Sequence, residues 1–187
     1  MVAVPEQVTG RRLTFEDYQT LPDDQRYEIV RGVLHVAPRP RPLHQRVAFN
    51  LAYVLKEQVE NRGLGTVVPD ADLIVAEHDV YVAPDIMVFA GDRFSQVDPE
   101  GWIRIVPDLV VEVSSPSTDM YDERTKRQLY AEIGVPHYWR VNPSRRTIVE
   151  GVLATDGRYQ DRTWQIGEGF QPALFPELQL ELTSIFE

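Results

Sequence analysis

Cysteine is absent from all 187 residues, which removes disulfides, thiolate metal ligands and a cysteine nucleophile together. Any metal must therefore rest on carboxylate, imidazole or backbone oxygen. No uninterrupted apolar run approaches the roughly 20 residues a membrane-spanning helix needs. The opening Met1-Val2-Ala3-Val4-Pro5-Glu6 also lacks the charged-then-apolar plan of a signal peptide. A cytoplasmic protein with no membrane partner is the expectation. Positive charge is scarce as well: 19 basic residues face 29 acidic ones, a formal charge of −10. That balance repels nucleic acid at long range and argues against a non-specific DNA coater. It does not exclude a nuclease, because carboxylates gathered for a divalent cation make the metal-free chain look more acidic than the working site. Internal repeats, low-complexity tracts and linkers are lacking too. What remains is ordinary globular usage, 43% hydrophobic and 26% charged, over a length that fits one domain spanning 1–187.

Thr14 followed by Phe15, Glu16 and Asp17 reads as an N-cap with acids in the first turn, and Pro22 stops that short helix. Tyr27–Val30 and Val33–Val36 are β-prone runs around an Arg31-Gly32 turn. Alternating prolines in Ala37-Pro38-Arg39-Pro40-Arg41-Pro42 make an extended connector. From His44 to Arg62 the apolar residues Val47, Leu51, Val54, Leu55 and Val59 keep helical spacing, and Gly63 ends the run. Three strand-like runs follow, Thr66–Ala76, Val80–Ala90 and Pro107–Ser114, which should form the centre of a sheet. Ser117 or Thr118 can cap a helix reaching Ile133, with Gly134 and Pro136 beyond it. Tyr138–Val141 and Thr147–Ala154 read as further strands. The remainder carries a β-like alternation at Leu178, Leu180 and Leu182 and no motif of its own.

The acids sit where acids are costly. Asp85 lies between Val82-Ala83 and Ile86-Met87-Val88-Phe89, and Glu112 lies between Leu109-Val110-Val111 and Val113. Buried carboxylates are paired or coordinate metal, since desolvating an unpaired charge costs several kcal/mol. Two such acids in neighbouring strands point to a hard-cation site. In the helix ending at Gly134, Leu129, Tyr130 and Ile133 stand three, four and seven residues after Lys126, so the lysine shares the face that packs on the sheet. A lysine there wants a carboxylate or an anionic ligand, and Glu112 on the preceding strand is the obvious candidate.

At these residues the chain resembles the Uma2 family, a bacterial group assigned to the restriction-endonuclease-like PD-(D/E)xK nuclease superfamily. The matching stretches are "TFEDYQTLP", "RYEIVRGVL", "HQRV", "NRGLGTV", "VAPDIMVF", "PDLVVEVSSPST", "KRQLYAEIGVPHYWRVNP" and "LELTSIF". The resemblance implies an α/β (α+β) fold: a restriction-endonuclease-like mixed central sheet flanked by helices, with extra N- and C-terminal β elements. It implies Asp85 and Glu112 as metal-binding acids, with the Val113 carbonyl as a further metal ligand, and Mg²⁺ as the cofactor with Mn²⁺ able to substitute. It places Lys126 in the role of the superfamily's lysine, whose usual position is Ser114 here, and puts Glu28 in an acidic position near the site. Ala83 and His137 depart from the glutamine and glutamate that relatives often carry. The reaction implied is phosphodiester hydrolysis by a metal-activated water, with nucleic acid, foremost DNA, as the partner; self-association as a homodimer is a further expectation.

Plainer roles stand beside these. Asp85 would cap a turn, Lys126 would snorkel to solvent, and Glu28 would pair with Arg26 or Arg31 on a hairpin edge. His44, at the start of the long helix, and Asp72, in "DADLIV" before Asp85, are second-tier candidates. Arg39, Arg41 and Arg46 form a basic patch, and Trp102, Trp139 and Trp164 read as core or interface anchors. Two alternatives to the nuclease follow: a binding or scaffold protein that retains the fold with little or no activity, and a metal-dependent hydrolase of small phosphoesters.

Overall fold

The computed structural model describes residues 12–22, 25–37, 39–76, 79–114 and 122–187. Helix α1 (Phe15–Tyr18) begins at a capping box: Thr14 accepts from the Asp17 amide, and the Asp17 carboxylate accepts from the Thr14 amide at 2.9 Å. Strands β1 (Arg26–Val30) and β2 (Val33–Ala37) pair around Arg31 and Gly32, whose φ angles of 52° and 77° are those of a primed hairpin turn. Helix α2 (Pro42–Leu55) starts on Pro42, whose missing N–H costs nothing at a helix start, and runs into a π-helical turn at Lys56–Glu60. It buries Val47, Leu51 and Leu55, and Val59 follows in the π turn. Burial of each such side chain contributes about 1.5–3 kcal/mol.

The runs Thr66–Ala76 and Val80–Ala90 are not continuous strands. The first divides into β3 (Gly65–Pro69) and β4 (Leu73–Val75), the second into β5 (Val80–Val82) and β6 (Ile86–Ala90). At the first break Asp70 adopts a φ of 47°, and at the second Pro84 lacks the N–H a ladder requires. At each break the chain passes from one sheet to another. Strands β2-β1-β5-β4 form a four-stranded antiparallel sheet. Strands β3 and β6 join β7 (Leu109–Val113), β8 (His137–Asn142), β9 (Thr147–Leu153) and β10 (Tyr159–Gln165) in a six-stranded sheet of order β10-β9-β8-β7-β6-β3. Within it β7 and β8 run parallel and the other pairs antiparallel.

One face of the larger sheet packs against α2 and the C-terminal segment, where β11 (Gly169–Phe170) pairs with β12 (Leu180–Glu181) ahead of α4 (Leu182–Phe186). The opposite face meets the smaller sheet and α3 (Arg127–Glu132) through Val30, Val82, Met87, Val110, Leu129, Tyr130 and Tyr138. A second π-helical turn, Asp122–Lys126, leads into α3, and Gly134 follows at a φ of 81°. The expected cap at Ser117 or Thr118 lies outside the described residues. Trp139 and Trp164 are core residues, whereas Trp102 is half-exposed and meets Phe15 edge-on. The alternating leucines 178, 180 and 182 are all buried, but only Leu180 is in a strand. The result is the mixed α+β architecture expected. Among the described residues no helix is long and apolar enough to cross a membrane.

Candidate active site

The site forms where the two sheets diverge. Glu28 points inward from β1, Glu112 from β7, and both are buried, at 3% and 4% exposure. Lys126 arrives from the opposite side at 5% exposure and donates to Glu28 Oε1 at 2.8 Å and to Glu112 Oε1 at 3.0 Å. Its stripe companions Leu129, Tyr130 and Ile133 are buried in the same core, as the spacing requires. Glu28 is thus held by Lys126, and also accepts the Ala83 amide at 3.3 Å, rather than pairing with its neighbours Arg26 or Arg31. Those two arginines are engaged elsewhere: Arg26 donates to Asp70 and the Ala83 carbonyl, and Arg31 to Glu132.

Asp85 stands outside the strands, in the bend after Pro84 and just before β6. Its Oδ2 accepts the Val113 amide at 2.7 Å and lies 3.2 Å from His44 Nε2 at the first turn of α2. That amide bond sets Asp85 beside Glu112 along β7, so the structure brings Asp85, Glu112, Glu28, Lys126 and His44 to one locality. Asp72 does not join them by contact. It sits ahead of β4 and hydrogen-bonds Tyr81; burial raises its pKa, and the Tyr81 bond works against that rise.

Tyr130 is the residue the sequence reading undervalued. Its hydroxyl donates to Glu112 Oε1 at 2.6 Å, and burial followed by the Glu112 charge pushes its pKa well above the ordinary value, keeping it a proton donor. Its position four residues after Lys126 was the available signal, because both side chains then point at one place on the sheet. Arg140 was also unremarked. Strand register puts it opposite Glu112 on the parallel neighbour β8, on the same sheet face.

The donor set suits a hard cation in chemistry. Glu28 and Glu112 share the one Lys126 ammonium, so two buried carboxylates face a single positive charge, and Asp85 stands beside them against His44 and the Val113 amide. Each carboxylate has roughly four acceptor sites, so the bonds from Lys126, Tyr130 and the Val113 amide leave oxygen lone pairs in hand. No cage of three or more His, Asp or Glu side chains exists among the described residues. A metal here would be held by few protein donors, which is the habit of Mg²⁺, an ion that keeps several of its waters.

A buried lysine that joins Glu28 of the smaller sheet to Glu112 of the larger, mixed sheet marks the candidate site of this α+β protein. The sequence profile of the Uma2 family, described as "Putative restriction endonuclease", matches residues 15–183, and the chain belongs to this family. It is 29% identical over 110 residues to "Uncharacterized protein sll1609" of Synechocystis sp., a match spanning 58% of this chain and 61% of that protein's length. The fold is shared with "a putative nuclease belonging to DUF820" from Anabaena variabilis ATCC 29413, whose crystal structure aligns at a TM-score of 0.72. That comparison covers 93% of this chain and 97% of the other at 21% identity.

Proposed function

We propose that the chain is a Mg²⁺-dependent endonuclease that hydrolyses phosphodiester bonds, with DNA as the foremost substrate. The observation that carries the reading is the buried Lys126 ammonium shared by Glu28 and Glu112, with Asp85 tethered to the adjoining Val113 amide. Asp85, Glu112 and the Val113 carbonyl are the residues that would hold the ion, and Mn²⁺ has the ligand preferences to replace it. When bound, a divalent ion supplies Lewis acidity and a hydroxide-like water at neutral pH.

The remaining chemistry belongs to the chain's own side chains. Lys126 presents a fixed positive charge to anionic oxygens; because Glu28 and Glu112 orient it beforehand, little reorganisation is needed as charge develops. Tyr130 immobilises one oxygen of Glu112, and the Val113 amide does the same for Asp85. His44 Nε2 approaches the same Asp85 oxygen that accepts the Val113 amide and helps to fix that carboxylate.

The decisive experiment is a cleavage assay on single- and double-stranded DNA and RNA with Mg²⁺, Mn²⁺ or EDTA. Metal-dependent products that vanish in EDTA and in Glu112→Gln are expected. If no nucleic acid is cut under any of these conditions, the fold serves binding rather than hydrolysis. The formal charge of −10 and the full engagement of Lys126 by carboxylates favour that second reading.

A further inference from the structure

A groove of about 630 Å³ runs between α2 and β3 and reaches the candidate site, because Asp85 forms part of its wall. Phe49, Tyr53 and Phe94 line it, together with Glu60 and Asp70. Phe49 and Tyr53 lie one helical turn apart and are 71% and 59% exposed. Two large aromatics bared side by side along a groove are unusual for a free surface and mark a place of contact.

The walls narrow the choice of occupant. Lys56, the cation in the groove's lining, is paired with Glu60, and Asp70 of the lining is paired with Arg26, so the lining offers a phosphate backbone no unpaired cation. Carboxylates next to aromatic faces suit a flat ring with amino-group donors on its edge, which describes a nucleobase. An added protein strand is disfavoured. The outer edge of β3 has its Val67 amide donated to Glu60 Oε2 at 3.2 Å, and Pro69 has no amide to offer.

Resting on the nuclease reading of the Asp85 site, we infer that this groove takes unpaired bases next to the phosphate being cut, stacked on Phe49 and Tyr53. The favoured substrate is then single-stranded or locally opened nucleic acid. Bases inside a continuous duplex hide their faces in the stack and cannot enter. The volume lies within the roughly 300–1,000 Å³ typical of sites for small organic groups, and an acidic protein gains more from stacking than from tracking a charged backbone.

The test uses the full chain with a short single-stranded oligonucleotide carrying 5-iodouracil, in EDTA and again in Ca²⁺. Irradiation should cross-link the base to the peptide bearing Phe49 and Tyr53. By anisotropy, Phe49→Ala and Tyr53→Ala should each weaken single-strand binding roughly ten- to hundredfold, while Phe49→Trp retains it and the melting temperature stays put. The matching duplex should bind more weakly than the single strand. The inference is overturned if no single strand binds, if cross-links map elsewhere, if duplex binds as tightly, or if the alanine variants bind like wild type. It is equally overturned if wild type forms a dimer that the alanine variants dissolve, since a second copy would then cover the groove. Stacking without hydrolysis in Mg²⁺ or Mn²⁺ would refute the nuclease reading and leave the groove assignment standing. Hydrolysis unaffected by Phe49→Ala/Tyr53→Ala would do the reverse.

Discussion

The backbone amide of Val113 donates to Asp85 Oδ2 at 2.7 Å, so one candidate metal ligand is positioned by the residue that follows the other. Asp85 therefore has a structural duty separable from its charge. Asp85→Asn keeps an acceptor for the amide and should melt close to wild type, whereas Asp85→Ala leaves that amide unpaired at a cost of about 1–3 kcal/mol. In wild type, Mg²⁺ or Mn²⁺ should raise the melting temperature in a concentration-dependent way, and both variants should lose that response. Thermal melts across a metal titration check this, and a retained response in Asp85→Asn would exclude Asp85 as a ligand.

Removing Lys126 should act on stability and rate by different routes. Lys126→Ala leaves Glu28 and Glu112 facing each other without a counter-charge, and breaking a buried pair in this way costs about 3–5 kcal/mol. Adding Glu28→Gln should return part of that loss in urea unfolding. Cleavage by Lys126→Ala, measured where the variant is folded, should fall about 10²–10³-fold, with the metal-linked shift in melting temperature retained. Ser114 is buried just past the end of β7, two residues beyond Glu112. Partial recovery of rate on adding Ser114→Lys would show that charge placement is what Lys126 provides.

His137 gives stability a pH dependence with a definite sign. Burial lowers its pKa, Asp108 opposes that only partly, and its Nδ1 has no hydrogen-bond partner among the described residues. The unfolded chain therefore takes up the proton first. The stability from keeping this ring neutral is fully present above the unfolded value near 6.5 and declines as pH falls from there through the folded value. Urea midpoints should drop between neutral pH and mildly acid pH, and His137→Gln should flatten the slope.

Two glycines near the start of β3 should both resist replacement, for different reasons. A Cβ at Gly65 would collide with the Phe89 carbonyl oxygen on the paired strand, which cannot move without breaking the ladder. Gly65→Ala should cost at least about 1–3 kcal/mol. Gly63 has open space around it and only its φ of 71° to oppose a side chain, so Gly63→Ala should cost about 1–2 kcal/mol. A Gly65→Ala variant that melts in denaturant like wild type would contradict the packing at Gly65.

The parts of this molecule set by local chemistry were legible from its letters. Thr14 and Asp17 form their capping box, Arg31-Gly32 turns the first hairpin, and Lys126 shares a buried face with Leu129 and Tyr130 because helical spacing leaves no other choice. The two sheet crossovers were not legible. Thr66–Ala76 and Val80–Ala90 keep β-type composition across each break, and only Asp70 and Pro84 betray the change of sheet. Strand β10 went unread because Gln160, Asp161, Arg162 and Thr163 are all exposed on an edge and give no apolar alternation. The partners of Glu28 were hidden for another reason: Lys126 is 98 residues away, and sequence offers a neighbour such as Arg26 first.

That separation also fixes a schedule. A ribosome adds about 5–20 residues per second, so Glu28 emerges seconds before the lysine that answers it. The acids of β1 and β7 cannot gain their counter-charge until the helix after β7 has cleared the exit tunnel. During synthesis the smaller sheet can assemble from β1, β2, β4 and β5, but its inner face keeps an unanswered carboxylate and stays open to water. The ion pair at Glu28 is thus a late contact of synthesis, with β8, β9 and β10 still to follow the lysine that closes it.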